Sequence, residues 1–121
     1  MNLESDLLQF SGGGDQYWHW TKRLRYTEGV RYLAETAGAY WLIDAIASYQ
    51  GTKKLRTERL REFQLWQLTV KDKKAVLTCR EDDGEPAAVR QKIEFTDFPL
   101  DEIKLYVESG DGLVLMLPGE R

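Results

Sequence analysis

The chain has 121 residues, 42% of them hydrophobic and 31% charged, a balance that suits one domain with a buried core. Aromatic residues at 12% exclude a disordered solvating chain, and a net charge of −3 argues against a dedicated, strongly basic nucleic-acid binder. One cysteine and one histidine exclude an internal disulfide and a closed zinc site, and no metal or other cofactor is expected.

In chain order, residues 3–10 are expected to form a short helix with Leu3, Leu7 and Leu8 on one side, stopped by Ser11-Gly12-Gly13-Gly14. The start has no basic region followed by a long apolar run, so no signal peptide is expected. The stretch QYWHWTKRLRYTEG (16–29) has two readings, and they stay open. Asp15 can cap a helical turn in which Tyr17, Trp20 and Leu24 share a face. An extended segment instead puts Trp18 and Trp20 on one face and Tyr17 and His19 on the other. In both, Tyr17, Trp18 and Trp20 are expected to pack mostly in the core or at an edge, with His19 as a half-exposed polar tip.

Thr27 is a good N-cap for a helix over 28–37, with Glu28 near the positive end of its dipole and Val30, Leu33, Ala34 and Ala37 on one face. Gly38 reads as its C-cap. AYWLIDAIASY (39–49) is apolar almost all round and reads as a buried helix, the element expected to cover the sheet. Residues 52–62, TKKLRTERLRE, form a basic connector. The period then changes from helical to alternating. Strands are expected over 63–70, 75–80, 89–95, 103–108 and 113–117, the last ended by Pro118.

Helices first and strands afterwards indicate an α+β fold, with N-terminal helices packed on one face of an antiparallel β-meander of about five strands. The whole chain reads as a single domain: 1–51 mainly helical, 52–62 the connector, 63–118 the sheet. No apolar run nears the roughly 18 residues of a membrane helix. A cytoplasmic protein is expected, with Cys79 a small core residue of a strand.

The motifs that carry chemistry are sparse. Gly12-Gly13-Gly14 lacks the lysine of a phosphate loop and is followed by Asp15, so it reads as a connection. Asp82-Asp83-Gly84-Glu85 lacks the spacing of a calcium loop and reads as a solvated turn. Asp44 is a carboxylate inside an apolar helix, with Tyr40 and Ser48 at i−4 and i+4 on a shared face. An enzyme built on His19 and Asp44 requires the two to meet in one cleft. Otherwise Asp44 faces solvent or ties its helix to a neighbour. Trp18, Trp20 and Tyr26 beside Lys22, Arg23 and Arg25 supply rings and cations, which single-stranded nucleic acid needs. Lys53, Lys54, Arg56, Arg59 and Arg61 add charge in the connector. Between Cys79 and Asp111, ten acidic residues outnumber four basic ones. That excess reads first as a solvated strand face with acidic turns.

Five blocks carry a resemblance: YTEGVRYLAETAGAYWLIDAIASYQ (26–50), FQLWQLTV (63–70), AVLTC (75–79), IEFTDFPLDEIKLY (93–106) and LVLMLP (113–118). They resemble a family of small uncharacterised bacterial proteins, assigned to a domain of unknown function and also found in phages and mobile elements. The resemblance covers the chain from about Gln16 onward. It implies no activity, cofactor or catalytic set. Relatives more often have Asp where Glu28 stands and end differently from Pro118-Gly119-Glu120-Arg121. A mobile-element setting implies an accessory role.

The expected function is a non-enzymatic protein-binding module acting on a host protein. Its expected contact is an acidic surface that includes Glu81, Asp82, Asp83 and Glu85, with a homodimer through a sheet edge as a further expectation. Single-stranded nucleic-acid binding through Trp18, Trp20, Lys22, Arg23 and Arg25 is the alternative, and an enzyme using His19 and Asp44 ranks last.

Overall fold

The computed structural model describes residues 2–121. Helix α1 (Leu3–Leu7) begins at Asn2, whose side chain accepts from the Ser5 amide. Two three-residue strands follow, β1 (Gln16–Trp18) and β2 (Arg25–Thr27). Next come α2 (Glu28–Ala37), α3 (Tyr40–Tyr49), a 3-10 turn (Lys53–Leu55) and α4 (Glu58–Glu62). The remaining strands are β3 (Phe63–Lys71), β4 (Lys74–Arg80), β5 (Ala87–Ile93), β6 (Glu102–Gly110) and β7 (Gly112–Met116). A 3-10 turn (Pro118–Glu120) closes the chain.

The fold is α+β, as the change of hydrophobic period indicates, but the sheet differs from a five-stranded meander in two ways. It has seven strands in the order β1-β2-β7-β6-β3-β4-β5. The segment 16–27 supplies two of them as an antiparallel hairpin, so 1–51 is less helical than expected, and β2 lies parallel to β7. Strand β6 pairs with β3 rather than with β5, which leaves β5 at an edge. The three-residue strands β1 and β2 are too short to give a period on which sequence reasoning can rest. Strand β5 also stops at Ile93, before Phe95, which is 70% exposed. The connector 52–62 contains the 3-10 turn and α4.

Helices α2 and α3 form as their sequences dictate. The Thr27 hydroxyl accepts from the Val30 amide at 3.3 Å, and Gly38 ends α2 at φ 62°, the left-handed region open to glycine. Helix α3 buries Leu42, Ile43, Ile46 and Ala47, while Tyr40, Asp44 and Ser48 share its exposed face. The two helices pack on the sheet face that carries Trp66, Leu68, Leu77, Leu105, Val107 and Leu115. Tyr49 of α3 contacts the Trp66 ring and donates to Gln91 of β5 at 2.8 Å. Cys79 lies fully buried in this core, and burial pushes its thiol up to about 12.

The C-terminus closes the helical layer. Glu120 accepts from the Thr27 hydroxyl at 2.6 Å, the Gly29 amide at 3.2 Å and the Leu117 amide at 3.0 Å. The carboxylate thus sits at the positive end of α2. Glycine at position 29 makes room for this cap, because a Cβ there would lie 2.6 Å from the ends of the Glu120 and Leu117 side chains and would displace them.

Candidate functional site

The hairpin settles the open reading of 16–25. Residues 16–18 are extended and pair with 25–27, and the chain then turns. The His19 amide bonds to the Leu24 carbonyl and the Lys22 amide to the His19 carbonyl, which closes a tight loop. Lys22 adopts φ 65°, a left-handed conformation that a lysine rarely takes. Leu24, fully buried, returns the chain to the core.

His19 is not a half-exposed tip; it is 4% exposed. Its Nε2 lies 2.7 Å from Asp44 Oδ1, and its Nδ1 lies 2.7 Å from the Thr21 hydroxyl. The Thr21 amide also points its hydrogen at Nδ1. Nδ1 is therefore the acceptor, which assigns the ring proton of the neutral form to Nε2, facing Asp44. Both ring nitrogens have partners inside the chain. Asp44 itself is 55% exposed. It ties α3 to the hairpin and faces solvent at once.

Neither Trp18 nor Trp20 is buried in the core, and Trp18 lies on the edge strand β1. Trp18 is 56% exposed and Trp20 is 77% exposed. The Trp18 side chain shares a sheet face with its pair partner Arg25, whose guanidinium lies 5.4 Å from the ring centroid. Lys22 approaches the same ring at 6.0 Å. Trp20, in the loop, donates its indole N–H to Asp44 Oδ1 at 3.3 Å and lies 5.4 Å from the His19 ring. One carboxylate oxygen thus holds both His19 and Trp20. Tyr17, on the helix side, packs on Tyr26 and lies under Arg31. The side chains of Tyr17 and then Glu35 push the Arg31 guanidinium further up.

The cations of this stretch divide. Arg25 is committed to the fold: its guanidinium donates to the Asp111 carbonyl and its Nε is buried without a partner. Lys22 and Arg23 are exposed. The acidic residues lie elsewhere. Trp18, Arg25, Val114, Glu108 and Phe63 form one row across the sheet, so the hairpin tip and the β4–β5 loop occupy the same end. They are five strand spacings apart, roughly 24 Å. In that loop Glu81 accepts from the Thr57 hydroxyl and faces Arg59 at 3.6 Å, and Asp82 accepts from the Asp83 amide. Glu85 is half-buried in the same loop. The structure therefore joins His19, Trp20 and Asp44, places Trp18, Arg23 and Arg25 around them, and separates Glu81, Asp82, Asp83 and Glu85 from them all.

Sequence reasoning missed Thr21, the second partner of His19, because a lone threonine two residues from a histidine carries no signal. It also missed Glu120. Among the described residues no group of three or more His, Cys, Asp or Glu is placed to hold a metal ion, and no helix is long and apolar enough to cross a membrane. No curated protein and no solved structure matches the chain. The family resemblance carried by the five sequence blocks is matched over the full length: a model described as a family of unknown function, DUF6876, covers residues 1–121, and the chain belongs to that family.

Proposed function

We propose that this protein is a non-enzymatic protein-binding module whose contact surface is the hairpin tip around Trp20. The observation that carries the reading is an indole that is 77% exposed and yet tethered by its N–H to Asp44. A large aromatic held in place before binding loses little conformational freedom on docking, which is the property of an energetic anchor at an interface. Trp18, with its flanking cations, extends the same surface. A protein partner is favoured over single-stranded nucleic acid because the half-exposed Asp44 carboxylate beside Trp20 repels phosphate and because Arg25 is already engaged. An enzymatic role is disfavoured because neither His19 nitrogen is open to a substrate. The internal pairing of Glu81 and Asp82 makes the acidic loop the weaker contact candidate. A cytoplasmic setting accords with the single buried thiol. In the mobile-element setting that the family resemblance implies, such a module acts as an accessory factor on a host protein.

The test is capture from nuclease-treated lysate of the encoding cell by three immobilised forms: wild type, Trp20→Ala, and a variant with lysine at 81, 82, 83 and 85. The expected result is one stoichiometric protein retained by wild type and by the charge-reversed form and lost by Trp20→Ala. A protein lost only by the charge-reversed form returns the contact to the acidic loop. Nucleic acid in an untreated eluate, with all proteins lost after nuclease, replaces the reading with nucleic-acid binding.

A further inference from the structure

The connector carries five cations, and the fold disposes of them differently. Arg59 faces Glu81, and Lys54 lies over the Tyr49 ring, 5.9 Å from its centroid. Lys53 is exposed on the 3-10 turn. Arg56 and Arg61 pair with no carboxylate among the described residues, in a chain with 20 acidic residues to offer. Both line one cavity of about 370 Å³, together with Gln50, Thr52, Gln64 and Ser109, and no acidic side chain lines it.

The floor of that cavity supplies no counter-charge. Gln50 and Gln64, both buried, exchange amide hydrogen bonds at 2.9 Å in each direction. Their second N–H groups go to the Ile46 and Leu60 carbonyls, and Gln64 also accepts from the Trp66 indole at 2.8 Å. Every amide hydrogen of the pair is used, so the floor is neutral and rigid. The Thr52 hydroxyl donates to the Tyr49 carbonyl. The side-chain donors left for a ligand are the two guanidiniums and the Ser109 hydroxyl.

Two like charges facing one cavity repel each other, and an anion between them reverses the sign of that interaction. The guanidinium fork matches the oxygens of a phosphate group, with two parallel N–H bonds to each. The volume falls at the lower end of the roughly 300–1,000 Å³ of small-molecule sites. We infer that the cavity between Arg56 and Arg61 binds the phosphate group of a small phosphorylated molecule, with Ser109 as a third donor and the Gln50–Gln64 pair as its floor. The site is independent of the Trp20 surface and lies in a part of the chain that the protein-binding reading does not use.

The test is a titration of the isotope-labelled full chain with inorganic phosphate and, separately, with a mononucleotide, at constant ionic strength set by chloride. Saturable chemical-shift changes are expected at Thr52, Arg56, Arg61 and Ser109, with the mononucleotide binding more tightly than phosphate. Arg56→Gln and Arg61→Gln are each expected to weaken binding about tenfold or more, the worth of a hydrogen bond to a charged group. Both side chains are exposed, so the variants keep the fold, and the unshifted remainder of the spectrum checks this. Arg90→Gln, on β5, leaves binding unchanged. Shift changes scattered over every basic residue, or binding that survives the Arg56/Arg61 double variant, overturn the assignment, as does an absence of shifts at millimolar phosphate. A phosphoserine peptide that binds more tightly than the mononucleotide overturns the small-molecule class and replaces it with a protein ligand.

Discussion

The two edges of the sheet are built by different means. At one edge, β1 has three residues, and the hairpin tip is held by side-chain bonds from His19 and Trp20 to Asp44 of α3. At the other, β5 has seven residues on a ladder with β4 that shifts register once, between Cys79 and Arg80, and Arg90 and Lys92 stand exposed on it. A short strand cannot hold an edge by its ladder alone. The first edge borrows stability from a helix and leaves its aromatic residues outside. The second rests on its longer ladder and on the bond from Tyr49 of α3 to Gln91, and its cations discourage pairing with another chain. The difference teaches how exposure is distributed: the edge with the short ladder holds two exposed tryptophans beside its tether, whereas at the other the exposed Phe95 lies beyond the end of β5.

The largest expected effect breaks the tethered edge. His19→Ala removes a buried ring with partners on both nitrogens, and a loss of about 2–3 kcal/mol in denaturant unfolding is expected. Loss of amide protection at residues 16–27, with protection at β4 and β5 kept, would localise the damage to the hairpin. Asp44→Ala is expected to cost about 1 kcal/mol, since its carboxylate is half solvated. The two changes together should cost less than their sum, because they remove one shared bond. Full additivity to within about 0.5 kcal/mol would mean the tether contributes nothing.

A second comparison uses Cys79, which pairs with Val89 of β5. Its thiol, pushed up to about 12, stays protonated at neutral pH, so alkylation requires opening of the β4–β5 region. The alkylation rate is expected to be very slow in wild type and unchanged in His19→Ala. A rate that rises with that variant would show that the two edges open together. Smaller again is Arg90→Thr with Lys92→Thr. Monomer stability should stay within about 0.5 kcal/mol while self-association rises in sedimentation, because the edge has lost its charges. The smallest is Lys22→Gly, which frees a left-handed residue and is expected to raise stability by about 0.5–1 kcal/mol.

The legible parts of the sequence were those whose signal is local. The N-cap at Thr27, the stop at Gly38 and the strands expected over 63–70, 75–80, 103–108 and 113–117 follow from spacing within a few residues and are found in place, whereas the strand expected over 89–95 is found at Ala87–Ile93. Asp44 was legible as an anomaly in an apolar helix, but its partners were not. The fates of Trp18 and Trp20 were misread, since composition favours burial of tryptophan and only the loop geometry puts these two outside.

From the sequence alone followed the α+β class, the register of hydrophobic faces, the single buried thiol and the membership of a long, specific pattern. Each depends on neighbours in the chain or on summed composition. The tertiary structure decided the pairing of β2 with β7, the His19–Asp44 tether across 25 residues, the Glu120 cap on α2 across 91, and the meeting of Arg56 with Arg61 over the Gln50–Gln64 floor. These rest on contacts between segments that the chain brings together only when the core closes, and no local period encodes such a meeting.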